Sequence, residues 1–118
     1  MSKLTNIDSE RAIGKKLTIN VDRPFIASFR YKLHKGYRLN DLEKRDVQSL
    51  QKFLDIASDL TVSQMDSSYK RNMDKSDIFN GQQVQHYGFG DRFRVHGIYE
   101  DQRFEIIRID PNHKKHSK

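Results

Sequence analysis

The alternation of apolar and polar residues is most regular toward the C-terminus. Phe93, Val95 and Gly97 alternate with Arg92, Arg94, His96 and Ile98, and Phe104, Ile106 and Arg108 alternate with Glu105, Ile107 and Ile109. A period of two predicts strands. Strands are therefore expected over 92–99 and 104–109, joined through Glu100-Asp101-Gln102 as a tight antiparallel hairpin. Asp110-Pro111-Asn112-His113 ends the second strand, because proline has no N–H to give to the ladder. Near the other end, Leu17, Ile19 and Val21 predict a short strand that Pro24 closes off. Phe25, Ala27, Phe29, Tyr31 and Leu33 then alternate with Ile26, Ser28, Arg30, Lys32 and His34. That spacing predicts a half-buried strand over 25–34 with a largely basic outer face, ended at Gly36.

Between these runs the period changes to that of a helix. Asn40 and Glu43 form a capping pair for a helix over 41–58, with Leu42, Val47, Leu50, Phe53, Leu54 and Ala57 as its apolar stripe. A second, shorter helix opens at Thr61. Thr61 and Gln64 make a capping box, Leu60 and Met65 occupy the two positions of a hydrophobic staple, and Val62, Met65 and Tyr69 face inward. Residues 70–83 read as an irregular connection, and Gly81, Gly88 and Gly90 mark turns. The expected fold is α+β, a small antiparallel β-sheet packed against two helices. It forms a single domain over 15–113, flanked by an arm over 1–14 and a basic tail over 114–118.

Composition narrows the function classes. The chain has no cysteine, which excludes disulfide scaffolds, Cys-based zinc sites and thiol nucleophiles. Its apolar runs are too short for a membrane span, and the first residues lack the apolar core of a signal peptide, so a cytoplasmic location is expected. With 118 residues and a net charge of +6, one modest core and an acidic partner are expected. The charge is uneven. Residues 11–38 carry eight Lys or Arg against Asp22 alone, whereas 39–66 carry six acids against three bases. This polarity points to a polyanion, with RNA the first candidate.

The C-terminal hairpin concentrates the residues that suit such a partner. Arg92, Arg94 and His96 recur at every second position and share one face. Guanidinium groups bind phosphate oxygens in bidentate fashion, and imidazole transfers protons near neutral pH. Cleaving RNA without a metal requires a base for the 2′-hydroxyl, an acid for the leaving 5′-oxygen and cations around the phosphate. On that basis Arg94, His96 and His113 are the candidate catalytic residues, and Arg92, Arg108, Arg30 and Lys32 the candidate phosphate-binding residues. His86 ranks lower because it precedes the strand, and His116 because it lies in the tail. A polar alternation of this kind is also the ordinary outcome for an antiparallel strand with one wet face. A metal reading would rest on Asp110 and His113, joined by Glu105 or Asp91. Two ligands do not make a site, so no metal and no cofactor are expected. The five tyrosines interleave with basic residues and serve equally for base stacking or for core packing.

The run from Asp91 to Tyr99, a turn, and Arg103 to Asp110 resembles the closing strands of RelE/ParE-type bacterial toxins. Arg94-Val95-His96-Gly97, Phe104 and Asp110-Pro111-Asn112-His113 are closer still to small, mostly uncharacterised prokaryotic proteins of mobile regions. The resemblance covers the order of elements over 25–113, and its specific part is 92–113. It implies a toxin-like, metal-independent endoribonuclease acting on mRNA, free or on the ribosome, and held in check by an antitoxin. It further implies Arg94 as the phosphate-binding arginine and His113 as the C-terminal acid or base. ParE-like members inhibit gyrase instead of cutting RNA. A non-catalytic RNA- or DNA-binding module and a protein-interaction module therefore stay open beside the nuclease.

Overall fold

The computed structural model describes residues 22–113; the expected arm over 1–14, the strand over 17–21 and the tail over 114–118 lie outside them. In chain order the elements begin with β1 (Ala27–Ser28), a single 3-10 turn (Leu39–Asp41), α1 (Lys44–Ala57) and α2 (Val62–Tyr69). There follow β2 (Lys70–Arg71), β3 (Ile78–Phe79), β4 (Gln82–Gln83), β5 (Gln85–Phe89), β6 (Phe93–Glu100) and β7 (Arg103–Asp110). The fold is α+β. A five-stranded sheet has the order β1-β7-β6-β5-β2, and β3 and β4 form a separate hairpin. Neighbours are antiparallel except for β1, which runs parallel to β7, so the sheet is mixed and not wholly antiparallel. Among the described residues no helix is long and apolar enough to cross a membrane.

The predicted C-terminal hairpin is present and central. Asp101 and Gln102 both take left-handed φ values, 50° and 65°, as a two-residue primed turn requires to match the strand twist. Asn80-Gly81 does the same for β3 and β4, with φ of 55° and 77°. The ladder between β6 and β7 shifts between His96 and Gly97, which pair with Arg108 and Ile106 and leave Ile107 as the extra residue. A side chain at Gly97 would put its Cβ 2.3 Å from the Glu105 carbonyl oxygen, so the shift needs glycine there. The bulge lets consecutive residues Ile107 and Arg108 both serve one face of the sheet while Ile106 and Ile109 serve the other.

That other face carries the main core. Phe93 and Val95 of β6, Phe104, Ile106 and Ile109 of β7, and Tyr87 of β5 pack against Leu50, Phe53 and Ala57 of α1 and Val62 and Met65 of α2. Phe53 meets Phe25 edge-on at 6.4 Å and stacks near Phe89 at 6.5 Å. α2 starts as expected: the Thr61 N–H donates to Gln64 Oε1 at 2.9 Å, and the Gln64 N–H donates to Thr61 Oγ1 at 3.3 Å. α1 starts later than expected. Its N-cap is Glu43, whose N–H donates to Asp46 Oδ2 at 3.0 Å, while Asn40 belongs to the preceding 3-10 turn. A carboxylate three residues on displaced the Asn40–Glu43 pairing, and Val47 of the predicted stripe is exposed.

Three other expectations are corrected. The strand over 25–34 shrinks to Ala27–Ser28. Beyond it, the Arg30 N–H donates to the Glu105 carboxylate at 3.1 Å instead of to a ladder carbonyl. The chain rejoins β7 through His34 N–H to Ile107 O and Ile109 N–H to Tyr37 O. Phe29 is consequently exposed, and Tyr31 packs against Phe79 on the far face of the sheet. Gly88, expected to mark a turn, lies inside the strand Gln85–Phe89, the turn begins at Gly90, and the stretch 70–83 expected to be irregular contains β2, β3 and β4.

Substituting Phe53→Ala should lower stability by about 3–5 kcal/mol, read from urea unfolding. Tyr87 and Tyr99 share a 2.6 Å hydroxyl contact inside the core, and Tyr87 also donates to Asp66. Burial raises both phenols above their ordinary value of 10.0, Tyr99 to about 12. The folded state thus keeps phenolic protons that the unfolded chain releases. Stability present below pH 10 should fall as pH rises toward 12. A Tyr87→Phe/Tyr99→Phe variant should lose less over that interval than the wild type in the same unfolding assay.

Candidate functional site

The second face of the sheet would ordinarily be wet, with polar residues reaching solvent. Here it is covered. Arg94 and His96 of β6 point to it; opposite them stand Gly88 and His86 of β5 and Asp110 and Arg108 of β7. Arg94 is 7% exposed, His86 2%, Arg108 1% and His96 0%. The cover is the segment after β2, from Asn72 through the β3–β4 hairpin to Val84, together with Tyr31. It is fastened by charge as well as by apolar contact. Arg108 Nη2 donates to Asp77 Oδ2 at 2.6 Å, and His86 Nε2 lies 3.5 Å from the same oxygen. The His86 and His96 rings stack with centroids 3.9 Å apart and planes at 19°.

Arg94 is held by backbone. Its Nη1 donates to the Phe93 and Gly90 carbonyls at 2.8 and 3.3 Å, and its Nη2 to the Asp91 carbonyl at 3.2 Å. The guanidinium thereby locks the β5–β6 turn. Gly88 makes room for it, because a Cβ there would meet Phe93 O at 2.1 Å and Arg94 Cδ at 2.8 Å. Burial lowers the Arg94 pKa from its ordinary value and the nearby Arg71 charge lowers it further, while Asp110 and Asp91 act in the opposite sense. An arginine remains cationic at neutral pH even so. Two guanidinium groups are therefore held near one another at the rim of this face, an arrangement that attracts an anion.

They share a cavity of about 670 Å³, lined by Arg71, Asn72, Met73, Asp74, His86, Arg94 and His113. His113 reaches it through the Asp110-Pro111 turn: its φ is 54° and its N–H points back to the Asp110 carbonyl at 3.4 Å. Asp74 is the only carboxylate among the described lining residues. Its Oδ1 accepts from the Ser76 N–H at 2.9 Å and the Ser76 hydroxyl at 2.7 Å, which fixes the side chain at the cavity wall.

Of the residues singled out from sequence, the fold brings Arg94 and His113 to this cavity. His96 and Arg108 lie on the same face but are enclosed behind it and do not line it. Arg92 is exposed in the turn before β6 and borders a separate cleft of about 210 Å³ with Arg45, Asp46 and Pro111. Arg30 is exposed and engages Glu100 at 3.1 Å, and Lys32 is exposed beside Leu33 and Arg38. The alternation thus aligned Arg94 with His96 correctly but did not reveal that both are covered. Arg71 and Asp74 join the cavity from a stretch that reads as irregular. His86 gains weight because β5 sets it directly opposite His96. Asp110 and His113 do not gather further metal-ligating groups; the described residues that do so are Asp77, His86 and His96.

No protein-family model, curated protein or solved structure matches the chain. Two variants test how the cavity wall is built. Asp77→Ala would leave Arg108 buried without its carboxylate and should cost about 3–5 kcal/mol in urea unfolding. Gly88→Ala should displace the Arg94 side chain, seen as a shift of its guanidinium signals by NMR, with an accompanying loss of stability.

Proposed function

We propose that the cavity binds the phosphodiester backbone of RNA and cleaves it, making the protein a toxin-like, metal-independent endoribonuclease. The observation that carries this reading is the convergence of Arg71, Arg94 and His113 on one cavity whose single described carboxylate is Asp74. Two neighbouring cations, Arg94 anchored on backbone carbonyls and Arg71 beside it, suit the two non-bridging phosphate oxygens. An imidazole and a carboxylate supply the acid and the base.

In this scheme the Asp74 carboxylate accepts the proton of the ribose 2′-hydroxyl. The 2′-oxygen attacks phosphorus, the bond from phosphorus to the 5′-oxygen breaks, and protonated His113 gives its proton to that leaving oxygen. The products are a 2′,3′-cyclic phosphate and a 5′-hydroxyl, so atoms and protons balance. Arg71 and Arg94 stabilise the charge that develops on the phosphorane oxygens. His86 forms part of the wall, next to Asp77. A protein of this kind would require a partner of antitoxin type to cover the cavity in the cell that makes it.

The test is incubation of RNA with the purified chain in excess chelator, with end groups identified. Cleavage leaving cyclic phosphate is expected. It should fall by roughly 10²–10⁴-fold in His113→Ala, while Arg71→Ala should weaken binding and flatten its dependence on salt. Salt-sensitive binding without product in any condition would favour a non-catalytic nucleic-acid module. Absence of binding at moderate salt would favour a protein-interaction module.

A further inference from the structure

Behind the cavity, three side chains from three separate segments converge: Asp77 from the covering loop, His86 from β5 and His96 from β6. One potential ligand atom from each lies within 4.8 Å of the other two. We propose that these residues form a binding site for a divalent transition metal of the zinc class. The site is separate from the acid–base scheme above and does not depend on it.

Four observations support the assignment. First, the donor set is two imidazoles and one carboxylate, which favours zinc and its transition-metal neighbours over magnesium or calcium. Second, the spacing is close to that of a loaded site. Ligand atoms about 2.1 Å from a tetrahedral ion lie roughly 3.4 Å apart, and His86 Nε2 is already 3.5 Å from Asp77 Oδ2. The strand register holds the two imidazoles in place, since His86 and His96 are direct cross-strand partners with rings 3.9 Å apart. Coordination by both imidazoles requires the near-parallel rings to tilt out of their stack, so that an in-plane lone pair of each points at one ion.

Third, Asp77 is oriented by a hydrogen bond from Arg108 at 2.6 Å, the kind of outer contact that positions a ligating carboxylate. A carboxylate has lone pairs enough to accept that bond and bind an ion as well. Fourth, the site opens toward the cavity on its His86 side. Because His86 also lines the cavity, solvent there can complete the coordination. A bound ion would tie the covering loop to two strands of the sheet.

The experiment uses the full chain, isotopically labelled and stripped with chelator, titrated with Zn²⁺ alone and followed through the imidazole nitrogen resonances. One ion per chain is expected, with the His86 and His96 signals shifting together, a rise in Tm on saturation and no competition from excess Mg²⁺. His96→Gln should weaken Zn²⁺ affinity by on the order of 100-fold, at least as much as losing an outer partner of a ligand. A His113→Ala/His116→Ala variant should bind Zn²⁺ like the wild type. If His86 and His96 stay unmoved at saturating Zn²⁺, or binding disappears with His113 and His116, the proposal is wrong. The first result is read on the wild type, and a wild-type-like amide spectrum of the His113→Ala/His116→Ala variant separates the second from misfolding. RNA is absent, so failure here leaves the ribonuclease reading untouched, and failure of cleavage in chelator leaves this site untouched.

Discussion

Asp77 and Arg108 meet across the covered face of the sheet at 2.6 Å, with the arginine almost wholly enclosed. Much of the rest of this face depends on that contact. The apolar patch under the covering segment is small, consisting of Val84, Ile98 and Ile107 with Tyr31 and Phe79 against it. Apolar burial on that scale would hold a loop weakly. A buried guanidinium without its carboxylate would drive the loop away from the sheet instead of toward it. The pair therefore decides whether residues 72–77 lie over β5 and β6. Their position in turn decides whether there is a cavity at all, because Asn72, Met73 and Asp74 form one of its walls.

The two faces of the sheet divide the labour. The face toward α1 and α2 is apolar and aromatic, and it supplies most of the burial that holds the fold. The other face keeps ionisable groups out of water, where their interactions with one another and with a ligand are stronger than at an exposed surface. Arg94 shows how the division works. Its guanidinium is spread over Gly88 and anchored on the carbonyls of Gly90, Asp91 and Phe93, so it reaches the cavity already oriented. Placing an arginine this way costs little rearrangement when an anion arrives. Arg71, on the edge strand β2, is only half-buried and brings the second charge from the opposite side of Gly88 and His86.

Much of this architecture is legible in the residues. The hairpin follows from strict alternation and a two-residue turn, α2 from a capping box, and the end of β7 from Asp110-Pro111. The failures share a cause. The alternation over 25–34 is real, but Glu105 intercepts the Arg30 amide, and a side chain that interrupts a ladder leaves no trace in periodicity. Helix α1 starts at Glu43 because Asp46 competes successfully for its amide. The pattern also marks Arg94, His96 and Arg108 as polar positions, whereas their burial depends on a covering loop with no regular period of its own. Arg71, Asp74 and Asp77 were invisible for the same reason. They acquire meaning only once that loop is folded back on the sheet.

The most direct measurement is NMR mapping of a short oligoribonucleotide whose scissile 2′-hydroxyl is replaced by hydrogen, bound in the presence of chelator. Binding in the cavity requires the Arg71 and Arg94 side-chain Nε–H signals and the His113 imidazole to shift together, with smaller changes at His86. Shifts confined to Arg30, Lys32, Arg38 or Arg92, with Arg71, Arg94 and His113 unmoved at saturation, would place the nucleic acid elsewhere and contradict the assignment of this cavity.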